Sequence, residues 1–164
     1  MLYIDMPTLV VVIILLGALA AVFVYHSLKG KKAQKQFLDK FNQFVSGLQL
    51  NPQVKEDWRR RFVLGIDQQK NTLVYCNFGE SEQKIAVPLA EVSKVTVLET
   101  FQENAPTTNT RKLIDHLALN IHFKKPGKEA LSLLIYSAEE YSDLLGETVL
   151  AANWANTINE QLTK

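Results

Sequence analysis

The sequence predicts an α+β chain: an apolar helix, a basic amphipathic helix, then a run of antiparallel strands followed by one C-terminal helix. Three observations carry this prediction. Residues 7–28 contain no Asp, Glu, Lys or Arg. Within 37–48, Phe37, Leu38, Phe41, Phe44, Val45 and Leu48 fall on one face of a helix, with Lys35, Gln36, Asp39, Lys40, Asn42, Gln43 and Ser46 opposite. Past Asp57 the apolar period drops to two, the strand period, until Leu150, Trp154, Ile158 and Leu162 recur every fourth residue near the end.

At about 1.5 Å per residue the uncharged run makes a helix of roughly 33 Å, against a hydrocarbon core of about 30 Å. It reads as an N-terminal transmembrane helix, an anchor over residues 1–28. Only Asp5 precedes the run, while Lys29, Lys31, Lys32 and Lys35 follow it, and an excess of Lys/Arg marks the cytoplasmic side. The expectation is a single-pass protein of the plasma (inner) membrane, N-terminus outside and C-terminal domain cytoplasmic. A cleaved signal peptide is the weaker reading. Ala18-Leu19-Ala20 has the small-x-small form of a cleavage site, but no positive charge precedes the run and Val22-Phe23-Val24-Tyr25 carries it further.

Net charge is +1 over 164 residues, and it is unevenly placed. Residues 29–61 hold nine Lys/Arg and three Asp/Glu, whereas 62–164 hold nine and thirteen. The segment 29–57 is therefore expected to be a basic amphipathic juxtamembrane helix and linker, with Lys29, Lys31, Lys32 and Lys35 contacting the inner leaflet of the lipid bilayer. Its phenylalanine stripe has three competing covers: the following domain, a second copy of the chain, and the bilayer. A seam of about two and a half heptads is short for a coiled coil, so the domain or the bilayer is favoured. The acidic remainder argues against nucleic acid as a partner, because phosphate binding needs a concentrated basic face. Residues 58–164 leave room for one domain. The single cysteine, Cys76, lies among Leu73, Val74, Tyr75 and Phe78 and reads as a buried apolar side chain.

Gly47 and Asn51-Pro52 end the second helix. Phe62, Leu64 and Ile66 alternate in a first strand, residues 67–71 turn, and 72–78 form the second strand of a hairpin. Residues 84–89 make a third strand, with Pro88 suited to a sheet edge, and 92–101 a fourth. In the fifth, Leu117, Leu119, Ile121 and Phe123 share one face while His116, Ala118, Asn120, His122 and Lys124 take the other. Residues 130–137 are apolar on both faces and read as a central or helix-covered sixth strand. Glu139-Glu140 reads as the acidic start of the last helix.

These elements, with the segments FVLGID, TLVYCNF, PLAEVSKV and AANWANTI, resemble a bacterial single-span membrane protein carrying a cytoplasmic pleckstrin-homology-like (PH-like) domain. The resemblance covers residues 58–162. It implies a PH-like bent antiparallel β-barrel or sandwich closed by the C-terminal α-helix, with Trp154 seated in the barrel mouth beside Ile158 and Glu91-Val92 at the bend between sheet halves. The count falls one strand short of the usual seven, and the missing one is expected within 88–94 or 102–111.

Many PH domains hold phosphoinositides on basic residues of a long first loop. Here that loop, residues 67–71, has one lysine and opens with Asp67. Arg59, Arg60 and Arg61 precede the first strand and are the remaining anion or partner contact, although a solvated strand entry accounts for them more simply. His116 and His122 stand about 20 Å apart along one strand, too far to share a metal. No GxSxG, HExxH, CxxC or phosphate-cradling glycine loop occurs. The sequence thus points to a non-enzymatic module without catalytic residues, cofactor or metal. It is expected to bind a protein partner, accepted as a strand at a sheet edge, or the membrane surface. Binding of a lipid or small ligand, or an accessory role in a membrane complex, is the alternative.

Overall fold

The computed structural model describes residues 6–79, 82–102 and 113–163 and, within the first helix, side chains at 7, 9–21, 25 and 34–47. The fold is α+β, with three helices and two antiparallel sheets among the described residues. Helix α1 spans Met6–Gly47. Strands β1 (Val54–Trp58), β2 (Phe62–Asp67), β3 (Thr72–Asn77) and β4 (Gln83–Pro88) form one sheet in sequence order. A single 3-10 turn, Leu89–Glu91, leads to the second sheet of β5 (Val92–Phe101), β6 (Ile114–Phe123) and β7 (Leu131–Ser137), again in sequence order. Helix α2 spans Glu147–Leu162 and packs chiefly over β5.

The membrane anchor expected over 1–28 is corrected. Among the described residues no helix is long and apolar enough to cross a membrane. The transmembrane, single-pass and inner-membrane assignments fall with it. The backbone runs through the expected boundary at 28 and 29 as one continuous helix.

The stripe on residues 37–48 is covered by the domain from Phe37 to Val45, while Leu48 is exposed. Phe37, Phe41 and Val45 are buried against Val63, Val74 and Cys76 of β2 and β3, with Phe37 edge-on to Phe78 at 5.4 Å between ring centres. Gly65 lies at the edge of this seat, where a Cβ would come within 3.0 Å of the Cβ of Pro52 and into ordinary contact, 3.5 Å, with the Phe41 ring. β2 and β3 are consequently buried on both faces. Phe62, Leu64, Ile66, Leu73 and Tyr75 point into the main core between the sheets, where they meet Leu117, Leu119, Ile121, Leu133, Trp154 and Ile158. Cys76 is buried as expected, and burial pushes its thiol pKa up to about 12.

The closed barrel is also corrected. Among the described residues the two sheets share no strand pairing. At the edge formed by β7 the register shifts between Leu117 and Ala118, and the carbonyls of Leu134 and Ile135 accept bonds from the Tyr75 hydroxyl (2.7 Å) and the Trp58 indole N–H (2.9 Å). Side chains bridge the sheets there, in place of a ladder. The unpaired edge of β4 leaves an open seam elsewhere.

Four further expectations change. The seventh strand is β1, which lies in the stretch read as linker; its residues Val54, Lys55, Glu56 and Asp57 are exposed, so no alternation marks it. Trp58, expected ahead of the first strand, ends β1 instead, is 8% exposed and stacks on Phe62 at 5.2 Å. β7 is an edge strand, covered on its apolar faces by the opposite sheet and α2. Residues 138–140 form a turn, and α2 starts at Glu147 behind Gly146, whose φ of 101° suits glycine.

Candidate functional site

Arg59, Arg60 and Arg61 form the corner between β1 and β2, and the backbone there is unusual. Arg59 and Arg60 have φ of 53° and 50°, and the Arg61 N–H bonds the Trp58 carbonyl at 3.2 Å. Two consecutive left-handed residues are what a tight hairpin turn needs, and glycine or asparagine normally fills such positions. Side-chain bonds hold the arginines in place. Arg59 Nε donates to Glu147 Oε1 at 2.6 Å, another nitrogen donates to the Asp143 carbonyl at 2.6 Å, and the guanidinium lies 4.5 Å from the Tyr141 ring centre. Partial burial works against the Arg59 charge, but the bonds and charges of Glu147 and Asp143 outweigh it and hold its pKa above the ordinary value.

Glu147 is 3% exposed, accepts the Leu145 N–H on its second oxygen, and sits at the positive end of α2. Arg61 forks onto both oxygens of Glu140 at 2.6 and 2.9 Å while its Nε donates to Asn77 Oδ1 at 2.8 Å. Its guanidinium fills the space beside Gly79, where any Cβ would collide with it. Arg59 and Arg61 therefore tie the β1–β2 corner to the segment entering α2, and their charges are met by carboxylates. Arg60 is exposed at the tip.

Lys35 is exposed, and the side chains of Lys29, Lys31 and Lys32 lie outside the described ones. Asp67, which opens the short loop, is 2% exposed and accepts the N–H groups of Asn51 (2.7 Å) and Lys70 (2.9 Å). Those backbone bonds hold its carboxyl below the usual range despite burial.

The histidines have separate local partners. His122 Nε2 lies 2.9 Å from Thr96 Oγ1. His116 stands between Asp115 (Nδ1 to Oδ2, 3.0 Å) and Ser137 (Nε2 to Oγ, 3.3 Å), the order of a charge-relay triad. Ser137 is 4% exposed in the β6–β7 ladder, so its Oγ offers no room for a substrate carbonyl. The three side chains pin the end of β7. Among the described residues no group of His, Cys, Asp and Glu is placed to hold a metal.

The free edge of β5 is different. Asn159 of α2 accepts the Val95 N–H at 2.8 Å and donates to the Val95 carbonyl at 2.9 Å, so one side-chain amide occupies the place of a neighbouring strand. Val95 faces Ile121, Val97 faces Leu119 and Glu99 faces Leu117, so the main-chain groups of Val97 and Glu99 turn to the same free side as those of Val95. Beyond the helix, Leu98 is 42% exposed and Phe101 40% exposed, with Glu99 and Thr100 exposed between them. Sequence reasoning reached β5 but not this clamp, because Asn159 reads as a polar residue on a helix face.

No family model, curated protein or solved structure matches the chain.

Proposed function

We propose that the domain is a non-catalytic interaction module that accepts an extended peptide from a partner protein along the free edge of β5, beside α2. One observation carries the reading. The Asn159 amide pairs with Val95 as a strand would and stops there, and no other described residue takes the same edge at Val97 and Glu99. Strand addition takes its affinity from such main-chain groups and its specificity from alternate side chains. Two copies pairing antiparallel about Glu99 would set Glu99 against Glu99, and directly opposed like charges are destabilising. The fitting partner strand instead places Lys or Arg opposite Glu99.

The test places a photo-crosslinking residue at Thr100 in the full chain. Val97→Pro removes the N–H that a partner strand would use, and Glu99→Lys reverses the charge. The reading expects one protein adduct that both changes abolish, together with slowed amide exchange at Val97 and Glu99 in the isolated complex. An adduct indifferent to Val97→Pro would sink it.

A further inference from the structure

The seam left open between the sheets carries a second site. Two adjoining clefts, each of about 460 Å³, share Glu91, Phe123 and Lys128. One is walled by Ile85, Val87 and Pro88 of β4 on one side and by Phe123 and Leu131 on the other. The second opens it to Lys124 and Lys125 in the turn between β6 and β7. Lys128 straps the junction, its Nζ 2.9 Å from Glu91 Oε2 and 3.7 Å from the centre of the Phe123 ring. Volumes of this order fall within the range of small-molecule sites, which combine apolar walls with a few placed polar groups.

The charges at the mouth decide the chemistry. Glu91 is matched by Lys128, and Glu129 is the other carboxylate lining the clefts. Lys124 and Lys125 are both exposed, so the mouth keeps an excess of positive charge while the slot behind it is apolar. We infer that this seam binds a single-chain amphiphile with an anionic head, its chain against Ile85, Val87 and Leu131 and its head at Lys124 and Lys125. No residue lining the clefts belongs to the β5 edge at residues 95–101, and this inference stands apart from the peptide reading.

Full-length protein with labelled methyl groups is titrated with decanoate, decanol, decyltrimethylammonium and inorganic phosphate, all below micelle-forming concentrations. Decanoate should give saturable shifts at the Ile85, Val87 and Leu131 methyls. It should bind about tenfold tighter than decyltrimethylammonium, as two exposed charge contacts of up to about 1 kcal/mol each imply. Lys124→Gln with Lys125→Gln should weaken decanoate severalfold and leave decanol unchanged. Ala130→Trp should fill the slot and remove both, with the unfolding midpoint reporting that the fold is kept. Equal binding of the three amphiphiles overturns the inference, as do shifts confined to residues 9–21 of α1. The same shifts with phosphate alone would reduce the site to a head-group contact and overturn it too. Should Ala130→Trp fail to fold, the lysine pair decides.

Discussion

The indole N–H of Trp58, at the end of β1, donates to the main-chain oxygen of Ile135, on the far sheet, at 2.9 Å. That bond and the one from Tyr75 to Leu134 replace a strand ladder with two side-chain tethers. A ladder would fix the spacing of the sheets residue by residue, whereas tethers fix it at two points. Trp58→Ala should cost about 3 to 5 kcal/mol, the usual range for removing a buried aromatic side chain. Trp58→Phe keeps the ring on Phe62 and strands the Ile135 carbonyl, for about 1 to 3 kcal/mol. Urea unfolding monitored by circular dichroism measures both, and a loss below about 1 kcal/mol for Trp58→Ala would remove the tether from the account.

The arginine corner makes opposite demands on neighbouring positions. Arg60 is exposed with φ of 50°, so Arg60→Gly should stabilise by about 1 kcal/mol, through relief of a left-handed conformation that costs L residues roughly that much. Arg59 shares the conformation but its side chain meets Glu147, so Arg59→Gly should destabilise by roughly 2 to 4 kcal/mol, the loss of a buried ion-pair partner less the relieved strain. Thermal melts of the two variants should move in opposite directions. Movement the same way would show that the turn is not held by its ion pairs.

Gly65→Ala should loosen α1 from the first sheet. The new methyl would press on the Cβ of Pro52, whose side chain borders the Phe41 seat, and overpacking of this kind costs about 1 to 3 kcal/mol. Gly17→Ala, with nothing within 4 Å, is the control and should be neutral or slightly stabilising. Amide exchange of residues 37–45 should rise in the Gly65 variant alone. Unchanged exchange would mean that the helix seat does not depend on the glycine.

Asp67 should confer acid sensitivity. Its native pKa is lowered by the Asn51 and Lys70 amides, so the stability it adds is complete above the unfolded value of about 3.9 and is lost as pH falls through the lower native value. Asp67→Asn should therefore lower stability at pH 7 and flatten its decline below about pH 4. Parallel pH curves for the two proteins would contradict the assignment.

What the sequence revealed follows from where each strand sits. β6 was placed by its alternation, because Leu117, Leu119 and Ile121 are buried on one face, whereas β5 was placed to the residue although only Val92 and Val95 are buried along it. β1 was missed because an edge strand with four exposed residues writes no pattern at all. Trp154 was expected to be buried beside Ile158 and is, at 3% exposure, with its indole N–H on Glu56 at 2.7 Å. Trp58 was undervalued because its partner lies 77 residues away. Similar distances hid the arginine corner, whose carboxylates Glu140 and Glu147 lie 79 and 88 residues from their arginines; the sequence reading took Glu140 only as half of a helix-start acid pair and gave Glu147 no role.

Helix α1 has one further consequence. Its 42 residues, about 63 Å of backbone at 1.5 Å per residue, are continuous from Met6 to the turn at Gly47, and Phe37, Phe41 and Val45 in its last third are seated on the domain. A rod without a joint is a lever. Sideways force on its far end arrives undiminished as torque at Phe37, Phe41 and Val45, and through them at the two strands of the first sheet that are packed on both faces. Whatever the first half of the helix leans on, its tilt and the attitude of the domain are one mechanical variable.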